Sequence, residues 1–477
     1  MAAATAFGPG GVTAAWVQQE NAKPGTRDWA ITQPAAGAQI AGYASRVSVD
    51  VGDSVDLYVS TPAPSYRVDA YRMGWYGGDQ ARLVWSSPTV AGTVQPYCGV
   101  DPSLRMVSCN WNDPFTVATA AASWPQGDYL FKLTSSAGFQ SYVPLTVRDD
   151  ASRSAYLVNN DVTSWQAYNL WGDYDFYQGP TPSGGASLAL RSYALSFDRP
   201  YLFSDGDGQG SSDFIGLELP MVTMMESLGL DVSYTTDIDF SENPAILEQH
   251  RSFITLGHDE YYSLAMRNGV IAARDQGVNL VFLGANAIYR HIRLQSSALG
   301  PDRVEVDYKD PSLDPLYGTD NADVTPWAWR DPPNNLPESV ILGGMWQCNP
   351  VDADMVITSA GNWMFAGTGL VDGSLIPGIV GPEFDHYSPS QPSPLDVTVV
   401  AASPVTCDGQ AEEADMTYYT APSGAGVWDT GTIDWVGSLH PGCPGCPDPG
   451  VVTAITANVL AAFGRGPAGR VVPVTAN

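Results

Sequence analysis

The sequence predicts a multi-domain protein in which an all-β sandwich, residues 15–150, precedes an α/β domain, residues 151–470, with a mostly parallel sheet. Three observations predict this organisation. The chain has 477 residues, which at roughly 100–200 residues per domain corresponds to two to four domains. Its first part alternates apolar and polar residues in short runs. Its second part alternates continuous apolar runs with segments of helical period.

The sandwich is predicted from five short runs in which apolar and polar residues alternate. These runs lie at 47–51, 55–59, 67–71, 129–133 and 141–147. Glycine, proline and aspartate separate them. A period of two places one face of each strand in a core, and frequent turn residues are typical of antiparallel sandwiches. We therefore expect this part of the chain to be all-β.

The pattern changes after residue 153. Continuous apolar runs at 155–158, 232–234, 253–256 and 279–283 predict buried strands. Helices are predicted at 217–228, 263–276 and 451–463, and Gly229 and Gly277 stand where C-caps belong. The proline-rich region 310–337 is predicted to be a long insertion loop. Strands that alternate with helices indicate a parallel sheet covered on both faces.

Charge and hydropathy exclude two classes of partner. The chain has 22 Lys and Arg against 51 Asp and Glu, a net charge of −29, which repels phosphate backbones and anionic lipids. We therefore expect neither nucleic acid nor a membrane as a partner. No run approaches the roughly 18 apolar residues of a spanning helix, and residues 1–11 lack the features of a signal peptide.

The six cysteines are Cys98, Cys109, Cys348, Cys407, Cys443 and Cys446. Pairing each cysteine with its neighbour is the simplest of fifteen complete pairings. Zinc is the alternative at Cys443 and Cys446, but a structural zinc site needs four ligands, and the sequence has no second CxxC or HxxxH. Disulfides are favoured, and they predict a secreted or extracytoplasmic protein whose leader is absent from this chain. A cytoplasmic protein is the alternative.

The most concentrated chemistry follows the predicted strand 253–256. Here His258, Asp259 and Glu260 lie in a short turn before a helix, and ligands of parallel sheets gather at the carboxyl ends of strands. The alternative for Asp259 or Glu260 is that its carboxylate caps the N-terminus of the following helix. Asn286 follows the next strand and is placed to hydrogen-bond a substrate oxygen, with an Asx turn as the alternative.

Two other segments carry candidate residues. Tyr168 lies in an aromatic and amide-rich cluster beyond the first strand of the second part, where packing is the alternative to lining a pocket. Glu383 follows an apolar run and is either an acid/base group or a surface residue. The sequence contains no G-x-S-x-G elbow, phosphate-binding loop or HExxH motif, and no cysteine at a strand-to-helix elbow. These absences disfavour hydrolysis by a serine or cysteine nucleophile and leave metal-assisted hydrolysis or carboxylate acid/base chemistry.

Eight strings, taken in order, resemble the large (beta) subunit of the N,N-dimethylformamidase family. They are ENAKPGTRDW at 20–29, YRMGWYGG at 71–78, WQAYNLWG at 165–172, RPY at 199–201, YTTDID at 234–239, GHDEY at 257–261, LGANAIYR at 283–290 and GVWDTGTIDW at 426–435. Each string is weak alone, but the ordered set spans most of the chain. The resemblance implies an immunoglobulin-like sandwich followed by a glutamine-amidotransferase-like domain without the cysteine nucleophile.

The resemblance also implies a metal site, because the formamidase holds one iron through two tyrosines and a glutamate. Carried over by motif, the metal ligands are Tyr168, Glu260 and, as second tyrosine, Tyr201, with Tyr177 as the alternative. We expect Fe³⁺, one per chain, with zinc as the alternative. Hard oxygen ligands suit ferric iron.

By the same resemblance, His258 and Glu383 match the acid/base residues and Asn286 a substrate-orienting amide. Tyr262 stands where the family is expected to have tryptophan, and Pro382 where an aromatic residue is expected before Glu383. The formamidase subunit is longer, with an additional N-terminal β-domain and a small partner subunit; no small subunit is evident here. Whether the chain forms a homo-oligomer is left open.

The sequence therefore predicts a metal-dependent hydrolase of a carbon–nitrogen amide bond that acts on a small-molecule amide. Two alternatives remain. One is a non-catalytic secreted binding protein. The other is a carboxylate-based hydrolase of another bond, such as a glycosidic bond, with Glu260 and Glu383 as the carboxylate pair.

Overall fold

A computed structural model describes residues 10–120, 123–203, 210–439 and 449–472. Up to Arg148 these residues form mainly strands, and beyond it strands alternate with helices. Among the described residues, no helix combines the length and the apolar character that a membrane span needs.

Two sheets make up most of the N-terminal part. Each of the five alternating runs of the sequence lies in one of their strands or overlaps it. The larger sheet has the order Ser48–Asp50, Gln140–Arg148, Gly127–Ser135, Ser65–Met73 and Ala81–Ser86, with Val90–Ala91 paired to Ser65–Met73. The smaller has the order Ala41–Ala44, Ser54–Ser60 and Phe115–Ala118.

Side chains from both sheets share one apolar core. Leu57 of the smaller sheet and Val68 and Phe131 of the larger one are fully buried in it. Neighbouring strands run antiparallel except for Ser48–Asp50, which pairs in parallel with Gln140–Arg148. The description of this unit as immunoglobulin-like stays a prediction.

A seven-stranded mixed sheet forms the centre of the second part. Its order is Val232–Thr236, Tyr156–Asn160, Ser252–Gly257, Asn279–Gly284, Gly426–Asp429, Gln410–Thr420 and Thr398–Cys407. The first five strands are parallel and the last two are antiparallel. All residues of the five parallel strands are buried, because helices and loops cover both faces of this part of the sheet.

Helices pack on both faces of this sheet. Alternate residues of its strands enter two separate apolar clusters: Val158 and Ile254 pack in one, and Leu157 and Phe253 in the other. The longer helices are Leu219–Ser227, Leu264–Asp275 and Pro449–Phe463. Shorter ones are Ala15–Asn21, Val162–Ala167, Ser211–Asp213, Asp237–Glu242, Ser339–Leu342, Asp434–Gly437 and Ala468–Val471.

The helix predictions hold with one difference in geometry. Gly229 and Gly277 follow their helices at positive φ, +65° and +99°, as C-caps require. Ser263 caps the helix Leu264–Asp275 by accepting from the backbone N–H of Met266. Instead of one regular helix at 217–228, a π-helical segment, Phe214–Glu218, precedes Leu219–Ser227. The insertion 310–337 contains one short 3₁₀ turn, Pro311–Leu313, and no strand.

Short strands connect these units. The remaining described pairs are Gly99–Asp101 with Met106–Ser108, Gly179–Pro180 with Ala186–Ser187, Tyr261–Tyr262 with Arg290–His291, Met345–Cys348 with Phe384–His386, and Ala353–Val356 with Leu375–Val380. A further small sheet has the order Ala194–Ser196, Gly300–Val306 and Arg293–Ser297. The domain boundaries at residues 150 and 151 stay a prediction.

Two of the three expected disulfides are confirmed. Cys98 pairs with Cys109, and Cys348 pairs with Cys407. The third expected pair, Cys443 with Cys446, lies outside the described residues, as does the zinc alternative for it. The first disulfide closes a loop near the smaller N-terminal sheet, and the second joins Met345–Cys348 to the edge strand Thr398–Cys407.

Candidate metal centre and active site

Three neighbouring parallel strands bring the candidate residues to one edge of the seven-stranded sheet. Tyr156–Asn160, Ser252–Gly257 and Asn279–Gly284 end side by side. The last two end in glycines that pair with each other, and a Cβ on Gly284 would lie 1.9 Å from the carbonyl oxygen of Gly257. Any larger residue at Gly284 would push the two strand ends apart. The segments that follow the three strands are thereby held close together.

The Glu260 carboxylate lies at the centre of this site and is 1% exposed. Its Oε2 accepts a hydrogen bond from the Tyr168 hydroxyl at 2.7 Å, and its Oε1 accepts from Arg290 Nε at 3.0 Å. Burial raises its pKa, but the charges of Arg290, His258 and Lys309 outweigh that effect, so the pKa of Glu260 lies below its usual value. Glu260 is therefore an anion at neutral pH.

Two stacked tyrosines bring their hydroxyls to this carboxylate. The rings of Tyr168 and Tyr177 lie 4.8 Å apart, and their hydroxyl oxygens are 2.9 Å apart. The Tyr177 hydroxyl lies 3.2 Å from Glu260 Oε2 and accepts a hydrogen bond from Tyr261 at 2.6 Å. Burial, and then the negative charge of Glu260, raise the pKa of both Tyr168 and Tyr177. The protein alone therefore keeps both phenols protonated.

The expected ligand set required Tyr201 beside Glu260, but the structure does not bring these two residues together. Its ring packs edge-on against Trp165, and its buried hydroxyl makes no hydrogen bond to any described residue. The position beside Tyr168 and Glu260 is taken by Tyr177, the alternative. The loop after Tyr168 turns back on itself, because Phe176 N–H donates to the carbonyl oxygen of Ala167.

His258 lies between the two candidate carboxylates. Its Nε2 is 3.4 Å from Glu260 Oε2 and 3.9 Å from Glu383 Oε1, and its side chain is 14% exposed. Its ring also packs against Tyr168 at a centroid distance of 5.1 Å. An imidazole in this place can exchange a proton with Glu383 and with a bound molecule.

Glu383 and Asn286 form the other wall of the site. Asn286 Nδ2 donates to Glu383 Oε2 at 2.9 Å, and its own Oδ1 has no partner among the described residues. Asn349 and Trp346 donate to Glu383 at 2.9 and 2.6 Å. Burial raises the pKa of Glu383, although the charge of His258 lowers it in part. The five expected residues other than Tyr201 thus lie in one continuous set of contacts.

The family described as "N,N-dimethylformamidase beta subunit-like, C-terminal" matches residues 67–448. The chain belongs to this family. The match includes every residue of the site described above, from Tyr168 to Glu383.

No curated protein matches the chain. Among solved structures, the chain is compared with a cycloisomaltooligosaccharide glucanotransferase of Paenibacillus sp. complexed with cycloisomaltoheptaose. That comparison has 8% sequence identity and a TM-score of 0.18, and it covers 83% of this chain and 69% of the other. At such a score it carries no argument about fold or function.

The site also contains side chains that the sequence analysis did not identify. Arg290 pairs with Glu260, and Lys309 Nζ lies 3.5 Å from the centre of the Tyr177 ring. Burial and then the charge of Arg290 lower the pKa of Lys309 well below its usual value. Arg290 is the last residue of the string LGANAIYR, so a sequence motif pointed to it. Lys309, Trp346 and Asn349 lie in segments without a local motif, so only the fold brings them to the site.

Proposed function

We propose that this protein is an iron-dependent hydrolase of a carbon–nitrogen amide bond, with Tyr168, Tyr177 and Glu260 as the metal ligands. One observation carries the proposal: the two phenol oxygens and the carboxylate lie within 3.3 Å of one another. Membership of the N,N-dimethylformamidase beta subunit-like family supports hydrolysis and an amide as the substrate class. Dimethylformamide itself is one candidate among small amides.

The donor set fits iron. Oxygen ligands alone suit a hard cation, whereas zinc sites are usually built from histidine and cysteine. Both phenols have raised pKa values in the protein alone, so forming tyrosinate requires a strong positive charge beside them. Ferric iron, when bound, supplies that charge and a Lewis acid that polarises an amide carbonyl and lowers the pKa of water.

Part of the site is exposed to solvent. Glu260 is buried, but Tyr168, Tyr177 and His258 are each partly exposed. Trp346 and Tyr289, whose rings are 5.1 Å apart, flank the region around Glu383. A small amide would approach beside these partly exposed side chains. Arg290, which pairs with Glu260, is itself held by a hydrogen bond to the Trp327 carbonyl oxygen and a cation–π contact with its ring at 4.2 Å.

The remaining residues move protons and orient the substrate. His258 and Glu383 form the acid/base pair, in which one group accepts the proton of the attacking water and the other protonates the leaving amine. Asn286 orients the carbonyl, since its amide nitrogen already points into the site and donates to Glu383. Trp346 and Asn349 hold Glu383 through its two oxygens, so the carboxylate keeps its position while it exchanges protons.

The metal content and the activity of the purified protein test the proposal. Protein purified without chelators should contain one iron per chain, show a tyrosinate charge-transfer absorption in the visible range, and hydrolyse formamide, N-methylformamide or N,N-dimethylformamide. Tyr177→Phe should lose the iron and the absorption, whereas the matched control Tyr201→Phe should keep both. Protein without iron, or full activity in Tyr177→Phe, contradicts the proposal.

A second candidate follows from the two carboxylates. The pKa of Glu260 is lowered and that of Glu383 is raised, which is the pattern of a carboxylate pair that divides acid and base roles. A hydrolase of a glycosidic bond would use this pair without a metal. Activity on glycosides that survives complete removal of iron favours this candidate, and loss of all activity with the metal excludes it.

We also infer that the protein works outside the cytoplasm. The two disulfides support this inference, because such bonds persist in oxidising compartments. Fractionation of producing cells tests it: the inference predicts the protein, with its disulfides formed, in the extracytoplasmic or medium fraction, and recovery in the cytoplasm alone contradicts it.

A further inference from the structure

A second group of acidic residues lies behind the His258–Glu260 turn. Asp161, Asp237 and Asp259 follow the three neighbouring strands Tyr156–Asn160, Val232–Thr236 and Ser252–Gly257. One oxygen from each carboxylate lies within 4.8 Å of the other two. The three residues are at most 2% exposed. The three carboxylates therefore form one compact group that is shielded from solvent.

No positive side chain balances these three carboxylates. The charged groups that act most strongly on Asp161 are Asp259, Glu218 and Asp237, all of them acidic. In the part of the chain that the structure describes, no lysine, arginine or histidine forms an ion pair with Asp161, Asp237 or Asp259. A buried carboxylate needs a counter-charge or a full set of hydrogen bonds. Asp161 and Asp259 each keep one buried oxygen that no described residue contacts.

An asparagine at the centre of the group points to the missing partner. Asn159 Nδ2 lies 2.7, 3.1 and 3.3 Å from oxygens of Asp237, Asp161 and Asp259. An amide group has two hydrogens, so it cannot satisfy three carboxylates. Asn159 is 0% exposed, yet its Oδ1 has no hydrogen-bond partner among the residues that the structure describes. Turning the amide over would place this oxygen among three anions, which is favourable if a cation lies between them.

The distances fit one calcium ion. Ca²⁺ takes six to eight oxygen ligands at roughly 2.4 Å, which places neighbouring ligands about 2.8–3.4 Å apart and opposite ligands about 4.8 Å apart. The Asn159 amide lies 3.1 and 3.3 Å from Asp161 and Asp259, within the first range, and 2.7 Å from Asp237, just below it. No two of the three carboxylate oxygens are further apart than opposite ligands of one such ion. Mg²⁺ fits less well because it keeps several water molecules, and these side chains are shielded from solvent.

We propose that Asp161, Asp237, Asp259 and the Asn159 side-chain oxygen form a binding site for one Ca²⁺ ion. The ion ties together the ends of three parallel strands and supports the turn that carries His258 and Glu260. This site does not depend on the proposed amide hydrolysis. It shares no ligand with the Tyr168, Tyr177 and Glu260 set.

Calcium titration of the full-length protein tests the site. Wild-type protein stripped with EDTA should bind one Ca²⁺ per chain by calorimetry. Its melting temperature should rise by roughly 3 °C when Ca²⁺ reaches a hundredfold excess over Kd. Asp161→Asn and Asp237→Asn should each weaken binding about hundredfold, because the charge of the ligands sets calcium affinity.

Two controls separate this site from other acidic groups. Asp415→Asn alters the partly exposed group of His386, Glu413 and Asp415, and Glu260→Gln removes the proposed iron ligand. Both variants should bind Ca²⁺ as the wild type does. Loss of calcium binding in Glu260→Gln would overturn the assignment, because calcium would then occupy the first site.

A further variant keeps the test decisive if the aspartate variants do not fold. Asn159→Asp adds a fourth carboxylate, so without Ca²⁺ this variant should be less stable than the wild type. Added Ca²⁺ should raise its melting temperature by more than it raises that of the wild type. If the group were held by protons and hydrogen bonds alone, Asn159→Asp would be destabilised equally with and without Ca²⁺. That result, or stripped wild-type protein that takes up no Ca²⁺, overturns the proposal.

Discussion

Two acidic sites at the same edge of the sheet differ in how their charge is balanced. Glu260 pairs with Arg290 and lies beside His258. Asp259, one residue earlier, accepts from Tyr262 and the Asn159 amide and has no described cationic partner. The protein itself therefore keeps Glu260 as an anion, which the proposed iron site requires. The Asp259 group has no such counter-charge, so either protons or, as we propose, a bound cation neutralise it.

The two sites have different proposed roles, the Glu260 site a catalytic one and the Asp259 site a structural one. The Arg290 contact balances the charge of Glu260 whether or not a metal is bound. A buried group of three carboxylates without such a contact is costly when empty. We therefore expect iron removal to abolish activity with little loss of stability, and calcium removal to lower stability first.

The largest expected effect is that of Glu260→Gln. The variant should lose the iron and reduce kcat/KM by at least about 10³-fold, because ligand and charge disappear together. Iron content and initial rates on a formamide check this result. Tyr201→Phe is the matched control and should retain iron and rate. An active Glu260→Gln variant would remove the distinction between the two sites.

Asn286→Gly should reduce kcat/KM while iron remains bound. Glycine retains the backbone conformation at φ +63° and removes only the amide that contacts Glu383. Loss of one orienting hydrogen-bond donor typically costs about 10²–10³-fold in rate. Rates should be measured beside the iron-to-protein ratio. A fall in that ratio parallel to the rate would show that Asn286 supports the metal rather than the substrate.

Removal of the Cys348–Cys407 disulfide should cost more stability than removal of Cys98–Cys109. The chain-entropy relation gives about 4 kcal/mol for a separation of 59 residues and about 3 kcal/mol for 11. Denaturant unfolding of the paired serine variants measures both values. Of these two disulfides, only Cys348–Cys407 lies next to a residue of the site, because Cys348 precedes Asn349, which donates to Glu383. Its removal should therefore also lower activity, and equal rates in the two variants would contradict this link.

Asp128→Asn should give the smallest effect and the opposite sign to Asp237→Asn. Burial raises the pKa of Asp128 to about 7, although Arg72 lowers it in part. A carboxyl with a raised folded-state pKa contributes stability below its unfolded pKa and loses it as pH rises towards 7. Asp128→Asn should therefore stabilise the protein at pH 8 and change its stability little at pH 4.

Unfolding of Asp128→Asn and Asp237→Asn at both pH values, with Ca²⁺ present, completes the comparison. At pH 8 the first variant should gain stability and the second should lose it, because only the second removes a cation ligand. A gain in both variants would indicate that neither carboxylate has a bound cation.

Local sequence patterns predicted much of the fold and part of the site. Apolar runs identified four of the parallel strands, and the rule that ligands gather at strand ends directed attention to His258, Glu260 and Asn286. The strands Gly426–Asp429, Gln410–Thr420 and Thr398–Cys407 were not predicted. The last two form the edge of the sheet and mix exposed with buried residues, so they lack the continuous apolar character used to find the others.

The second tyrosine could not be chosen from the sequence for a physical reason. Tyr201 and Tyr177 lie in loops of similar composition, and only the packing decides which hydroxyl reaches Glu260. Tyr201 packs against Trp165, whereas the loop after Tyr168 folds back and stacks Tyr177 on it. Lys309 and Arg290, which neighbour the Tyr177 ring, depend on the same tertiary arrangement.

Anomalous diffraction at the iron edge, from crystals grown without chelators, tests the central claim most directly. The account predicts one strong peak per chain bounded by the oxygens of Tyr168, Tyr177 and Glu260, with one side open toward His258. The absence of a peak there, or a peak whose ligands include Tyr201 instead of Tyr177, would contradict it.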